Sequence, residues 1–292
     1  MHRNLIIILC VTNACIATGL MWFVFGPKSK PSITNKASTS LGTEIMTDEA
    51  HWQHATKATS LREAAFHLSQ FKDQDELNIR TSELIYGLHF DSVPNLNKWP
   101  LYQASMQAHG KNADTASELK LLAKIAQKTQ QALTLRDTAF RVYIENWLRI
   151  ESDDKVNEET FELIDTLYHE NNSLADTSLE AEYFLIKNNA STAERNAQFK
   201  DRLRNTAMES SRAATTRITA LKTLSELGAL LDLPMENIYH SASTHLQTAI
   251  LRVLENQSSS KASKEQWLRL IQPTTSEQEQ LLLRILKTMN PQ

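Results

Sequence analysis

Past residue 48 this chain contains only three glycines, Gly87, Gly110 and Gly228. Tight hairpins and phosphate-cradling loops draw on glycine for positive φ and close backbone approach, so scarcity of glycine argues against both. Alanine, leucine, glutamate, lysine and glutamine are plentiful instead, the residues that lose least on entering a helix. No stretch alternates apolar and polar residues with β-branched enrichment, as strands do. The chain beyond residue 48 therefore reads as an all-α domain.

Helix boundaries are written into it. Ser60–Glu63, Thr115–Glu118, Ser191–Glu194 and Thr275–Gln278 fit the capping-box pattern. Each precedes apolar residues at three- and four-residue spacing: Leu119, Leu122, Ala123 and Ala126; Phe161, Ile164 and Tyr168; Leu221, Leu224 and Leu227; Leu282, Ile285 and Leu286. Gly110 and Gly228 stand where helix C-caps are expected, and Pro100, Pro234 and Pro273 mark boundaries. The pattern predicts ten to twelve helices of 10–20 residues.

Four segments share a small-then-large step: Leu61-Arg-Glu-Ala-Ala-Phe66, Leu135-Arg-Asp-Thr-Ala-Phe140, Thr216-Arg-Ile-Thr-Ala-Leu221 and His245-Leu-Gln-Thr-Ala-Ile250. Their alanines, Ala65, Ala139, Ala220 and Ala249, are expected where one helix crosses another. Successive spacings are 74, 81 and 29 residues, the first two near twice the period of two-helix repeats and the last too short for it. Arg217-Ile-Thr-Ala-Leu-Lys-Thr-Leu-Ser-Glu-Leu-Gly228 resembles a helix of the HEAT-like α-helical repeat (α-solenoid) proteins, with an early arginine, Ala-Leu, and leucines ending in glycine. The resemblance covers about four helices. It implies a right-handed α-solenoid-like array of antiparallel helix pairs, a scaffold shape with no particular chemistry. An irregular helical bundle is the alternative.

The N-terminal part is of a different kind. Residues 5–25 run LIIILCVTNACIATGLMWFVF, and twenty-one residues of helix reach about 30 Å, the thickness of a hydrocarbon core. They read as a transmembrane signal-anchor after a short tail, residues 1–4. Thr12-Asn13-Ala14 resembles a cleavage site, but the apolar run continues eleven residues past it. Residues 26–47 are rich in Ser, Thr, Pro and Lys and read as a flexible linker, leaving 48–292 as the helical domain. A tail of four residues carries no domain, so the bulk of this single-pass membrane protein is expected outside the cytoplasm, in the periplasm if the source is bacterial.

The domain offers few chemically reactive groups in any recognisable spacing. Both cysteines, Cys10 and Cys15, lie in the apolar run, so the domain has no thiol nucleophile and no thiolate site. His51 and His54 are three residues apart with Glu49 nearby, but a zincin needs histidines four apart flanking a glutamate. A frayed turn with Trp52 docked on the domain is the simpler expectation. The remaining histidines of the domain are scattered singly. No catalytic, metal or cofactor motif is present, so no cofactor is expected. With 31 basic and 34 acidic residues the chain lacks the footprint of a nucleic-acid binder.

Charge is uneven locally. Residues 151–182 carry eleven acids against Lys155 alone, and 183–222 carry eight bases against three acids. Adjacent helices of opposite sign pairing with each other is one expectation. A basic face formed by Arg195, Arg202, Arg204 and Arg212 that binds an acidic partner is the other. The function expected is that of a membrane-tethered, non-catalytic scaffold that binds another protein. An enzyme or polysaccharide-binding domain with an unfamiliar site is the alternative.

Overall fold

The computed structural model describes residues 46–90, 98–150, 158–230, 233–256 and 271–289, with Glu265 and Leu268. The expected anchor at 5–25, nearly all of the 26–47 linker and the acids of 151–157 lie outside them. Among the described residues no helix is long and apolar enough to cross a membrane.

Within the unit Met46–Gln292 the described residues hold thirteen helices and no strand. They are α1 (Asp48–Lys57), α2 (Leu61–Ser69), α3 (Gln74–Phe90), α4 (Trp99–Asn112), α5 (Ala116–Gln127), α6 (Leu133–Ile150) and α7 (Glu158–Tyr168). The remainder are α8 (Ser173–Lys187), α9 (Ala193–Met208), α10 (Ala214–Glu226), α11 (Met235–His240), α12 (Thr244–Asn256) and α13 (Ser276–Met289).

Local chemistry fixes most helix ends. Ser60 Oγ accepts from the Glu63 amide while Glu63 returns to the Thr59 amide, and Thr115 with Glu118 makes the same reciprocal cap. At α9 the cap is Thr192, which accepts from the Arg195 amide, one residue later than the sequence pattern suggested. Gly228, at φ 69°, ends α10: its amide bonds to Ser225 O and the Ala229 amide to Leu224 O, a paired cap that needs the left-handed conformation. Gly110 is not a cap. It lies inside α4, where an added Cβ would stand 2.4 Å from Val142 Cγ1 of α6. Here absence of a side chain lets two helices approach. The segment around His51 is likewise no frayed turn but a ten-residue helix capped by Thr47, with Trp52 edge-on to Phe71 and under Arg80.

Packing follows one rule through the unit. Neighbours pair as α1 with α2, α3 with α4, α5 with α6, α7 with α8, α9 with α10, and α11 with α12. Each even helix also packs on the next even one, from α2 through α4, α6, α8 and α10 to α12. Among the odd helices α3 meets α5, α5 meets α7, and α9 meets α11. The core passes along these pairs. Leu174, Ala181 and Leu185 of α8 join the cluster built by α3 to α7, while Ala175 and Leu179 of the same helix join that of α9 to α13. A helix with apolar residues on two sides is one held between neighbours.

Ala139 and Ala220 are fully buried, each just before a large core residue, Phe140 and Leu221. Ala65 and Ala249 are only half-buried, and Phe66 is exposed. The cause is register: Ala139 and Ala220 are the seventh residues of α6 and α10, whereas the seventh residue of α12 is Ile250, which is buried. Leu286, expected in the core, is exposed as well.

Candidate functional site

Each of the basic residues singled out by the sequence is paired with an acid. Arg195 donates to both oxygens of Asp165, at 3.0 and 2.6 Å, and to Glu182 at 2.6 Å. Arg202 reaches the same pair, Asp165 at 2.5 Å and Glu182 at 2.8 Å. Glu182 is wholly buried. The network joins α7, α8 and α9, and its guanidiniums lie over the Phe161 and Tyr168 rings. For Asp165, burial works to raise the carboxyl, but the two arginines outweigh it and hold it below the ordinary range. Arg212 covers the other contact on Tyr168, donating to Tyr168 O and pairing with Glu209. Arg204 pairs with Asp201 of its own helix. Oppositely charged neighbours thus meet within the fold.

A different group of charged residues faces water. Asp137, Arg141 and Glu145 follow at four-residue spacing along α6, and Asp176, Thr177 and Glu180 line the adjoining face of α8. Arg141 bridges the two helices, reaching Asp137 at 3.1 Å, Glu180 at 3.0 Å and Thr177 Oγ1 at 2.9 Å. Thr177 in turn donates to Asp137. Arg141 is 44% exposed and Glu145 is exposed, yet both are strongly desolvated. This charged strip, open to water and flanked by α6 and α8, is the α6–α8 recess.

Electrostatics there are one-sided. Burial raises the Glu145 carboxyl above its usual range, and Arg141 only partly opposes it. Burial also raises Asp176, helped by the charges of Glu180 and Asp137. The Thr216 and Thr215 hydroxyls of α10 offset part of this without satisfying Asp176 Oδ1, which has no hydrogen-bond partner. Asp137, Glu145 and Glu180 thus share the Arg141 guanidinium, and Asp176 carries the added repulsion of Asp137 and Glu180. The Asp137–Arg141–Glu145 spacing is visible in sequence only as a common helix-face ladder, and the α8 acids appear there merely as part of an acidic run.

Other candidates resolve differently. Glu49 binds Arg80 and Gln53, so it is not disposed toward His51 and His54. Among the described residues no three His, Cys, Asp or Glu side chains are grouped to hold a metal ion. His109 is a core histidine, bonded to Ser82 Oγ and Glu118 O. The depression lined by Lys72, Asp73, Gln74 and Asp75 is open and shallow. No protein family, characterised protein or solved structure matches this chain.

Proposed function

We propose that this chain is a membrane-tethered, non-catalytic helical-repeat scaffold of the α-solenoid type, and that its α6–α8 recess docks a cationic segment of a partner protein. The repeat reading is supported by pairing of neighbours combined with an unbroken row of even helices, the order stacked helix pairs produce. The observation that carries the docking reading is a pair of carboxylates, exposed Glu145 and half-buried Asp176, that burial destabilises and no full cation partner relieves. A lysine or arginine from outside would relieve both. Residues 5–25 would hold the scaffold at the membrane, with the linker giving it reach.

The test is site-specific photo-cross-linking in cells. A cross-linker at Thr138, beside the recess on α6, should trap a discrete partner, and one at the exposed Gln198 of α9 should not. Capture should vanish when Glu145 and Asp176 are changed to lysine. Equal capture from both positions, or capture indifferent to the charge reversal, would dispose of the recess as the docking site.

A further inference from the structure

Three histidines that the sequence leaves apart come together in the first helix pair. His51 and His54 lie on α1, and His67 lies near the end of α2. His51 Nδ1 and His67 Nδ1 are 3.3 Å apart. Their ring centroids are 5.6 Å apart, close to the nitrogen separation plus two ring radii, so the nitrogens point at each other. His54 stacks on His67, its ring 4.9 Å from that of His67 and inclined by 20°. His51 is buried.

Two imidazole nitrogens facing head-on have room for one hydrogen. One ring donates and the other must offer its lone pair. A first proton added to the pair is tolerated, since the imidazolium still donates to a neutral ring. A second places hydrogen on both Nδ1 atoms, which turns an attractive contact into two opposed donors with no acceptor between them. We propose that the His51–His67 contact is a pH-operated fastening between α1 and α2, closed by a shared proton and released when both rings are protonated.

The surroundings favour release. The groups acting on His67 after burial itself are His54 and His51 from α1, which resist its protonation, and Glu63 from its own helix, which favours it. No charged side chain of α4, the other helix packed on α2, acts on it. Asp48, one turn before His51, is held chiefly by the Lys72 and Asp73 amides, and the charge of His51 is the weakest of the influences on it. Among the described residues the core under this pair is also the least substantial: Ala55, Ala58, Ala64 and Ala104 with Leu68, Phe71, Leu77 and Leu101. Alanine contributes little buried area, so an unfavourable contact on this pair is opposed by less apolar burial than elsewhere.

Hydrogen exchange of the full chain, read by peptide and corrected for the intrinsic effect of pH, tests this between pH 7.5 and 5. Protection of 48–57 and 61–69 should fall about tenfold per pH unit in the acid part of this range, as one additional proton per opening requires, while α6 and α8 hold theirs. His51→Asn and His67→Asn place an untitratable amide near the Nδ1 position and should flatten that slope. The variant that keeps normal protection at pH 7.5 is the one to read; if neither does, the fastening role is upheld and the slope of the natural protein decides the pH response. A slope of zero in the natural protein, or an unchanged slope in a protected variant, overturns the proposal.

Discussion

Arg136 and Arg217 hold the same post in two helix pairs: each is the fourth residue of its helix and donates Nε to the second-last carbonyl of the helix before it. The acceptors are Ala126 O at 2.7 Å and Ala207 O at 3.0 Å. Gln247, fourth in α12, does the same for Tyr239 O at 3.1 Å. The orphan carbonyls at a helix end need donors, and a long side chain from the next helix supplies one while fixing the angle between them. The arrangement gives physical content to the early arginine of the repeat-like segments.

The two arginines differ in what holds the rest of the guanidinium, which yields the first prediction. Arg136 meets both oxygens of Glu170, in the turn after α7, whereas buried Arg217 leaves Nη2 without a partner. Arg136→Met should therefore cost about 3 kcal/mol, by stranding Glu170 and baring Ala126 O. Arg217→Met should cost about 1 kcal/mol, the worth of one hydrogen bond. Glu170 stands two residues past the end of α7, and Ala242 stands two past α11, so Ala242→Glu should raise the melting temperature by giving Arg217 its carboxylate. Urea denaturation of the three variants checks the order.

Gly110 supplies a second. Alanine improves an exposed helix by up to about 1 kcal/mol over glycine. Here the added methyl would meet Val142 Cγ1 at 2.4 Å and Asn146 Nδ2 at 2.8 Å, so overpacking wins and Gly110→Ala should destabilise by about 1–3 kcal/mol. Adding Val142→Ala should recover part of the loss. Simple additivity in that double-mutant cycle would show that the two positions do not touch.

In the recess, stability and binding should trade against each other. A carboxyl raised in the folded state contributes its stability below the unfolded value, about 4, and loses it as pH rises through the folded value. At pH 7, well above the unfolded values, Glu145 and Asp176 therefore each cost stability. Glu145→Gln and Asp176→Asn should each raise the melting temperature at pH 7, with the gain shrinking toward pH 4, while weakening cross-linking from Thr138. Lower stability at pH 7 would mean the carboxylates are structurally required.

Asp165 has the opposite sign. Its carboxyl is lowered, so its contribution is full above the unfolded value of about 3.9 and disappears as pH falls through the folded one. Asp165→Asn should destabilise at pH 6 and match the natural protein in the acid limit. Denaturant midpoints from pH 6 down to 2.5 should converge. A constant gap across that range would assign the loss to packing instead of charge. By contrast exposed pairs such as Arg252–Glu277, worth about 0.2–1 kcal/mol, should be replaceable without measurable loss.

By itself the sequence determined that this domain is helical, where most helices start, that Gly228 ends one, and that Ala139 and Ala220 are core. Those properties depend on residues within about one turn of each other, because helix hydrogen bonds and caps close over three or four positions. Tertiary structure decided the rest. A helix turns about 100° per residue, so beginning α12 at Thr244 is enough to put Ile250 where α6 and α10 put alanine, and to leave Ala249 half-buried. Likewise only packing brings Glu170 to Arg136 and His67 to His51, sets Gly110 against Val142 instead of at a cap, and collects acids of α6 and α8 into one recess. Each of those joins residues on separate helices, and the rotation and offset of one helix against another are written in no single segment.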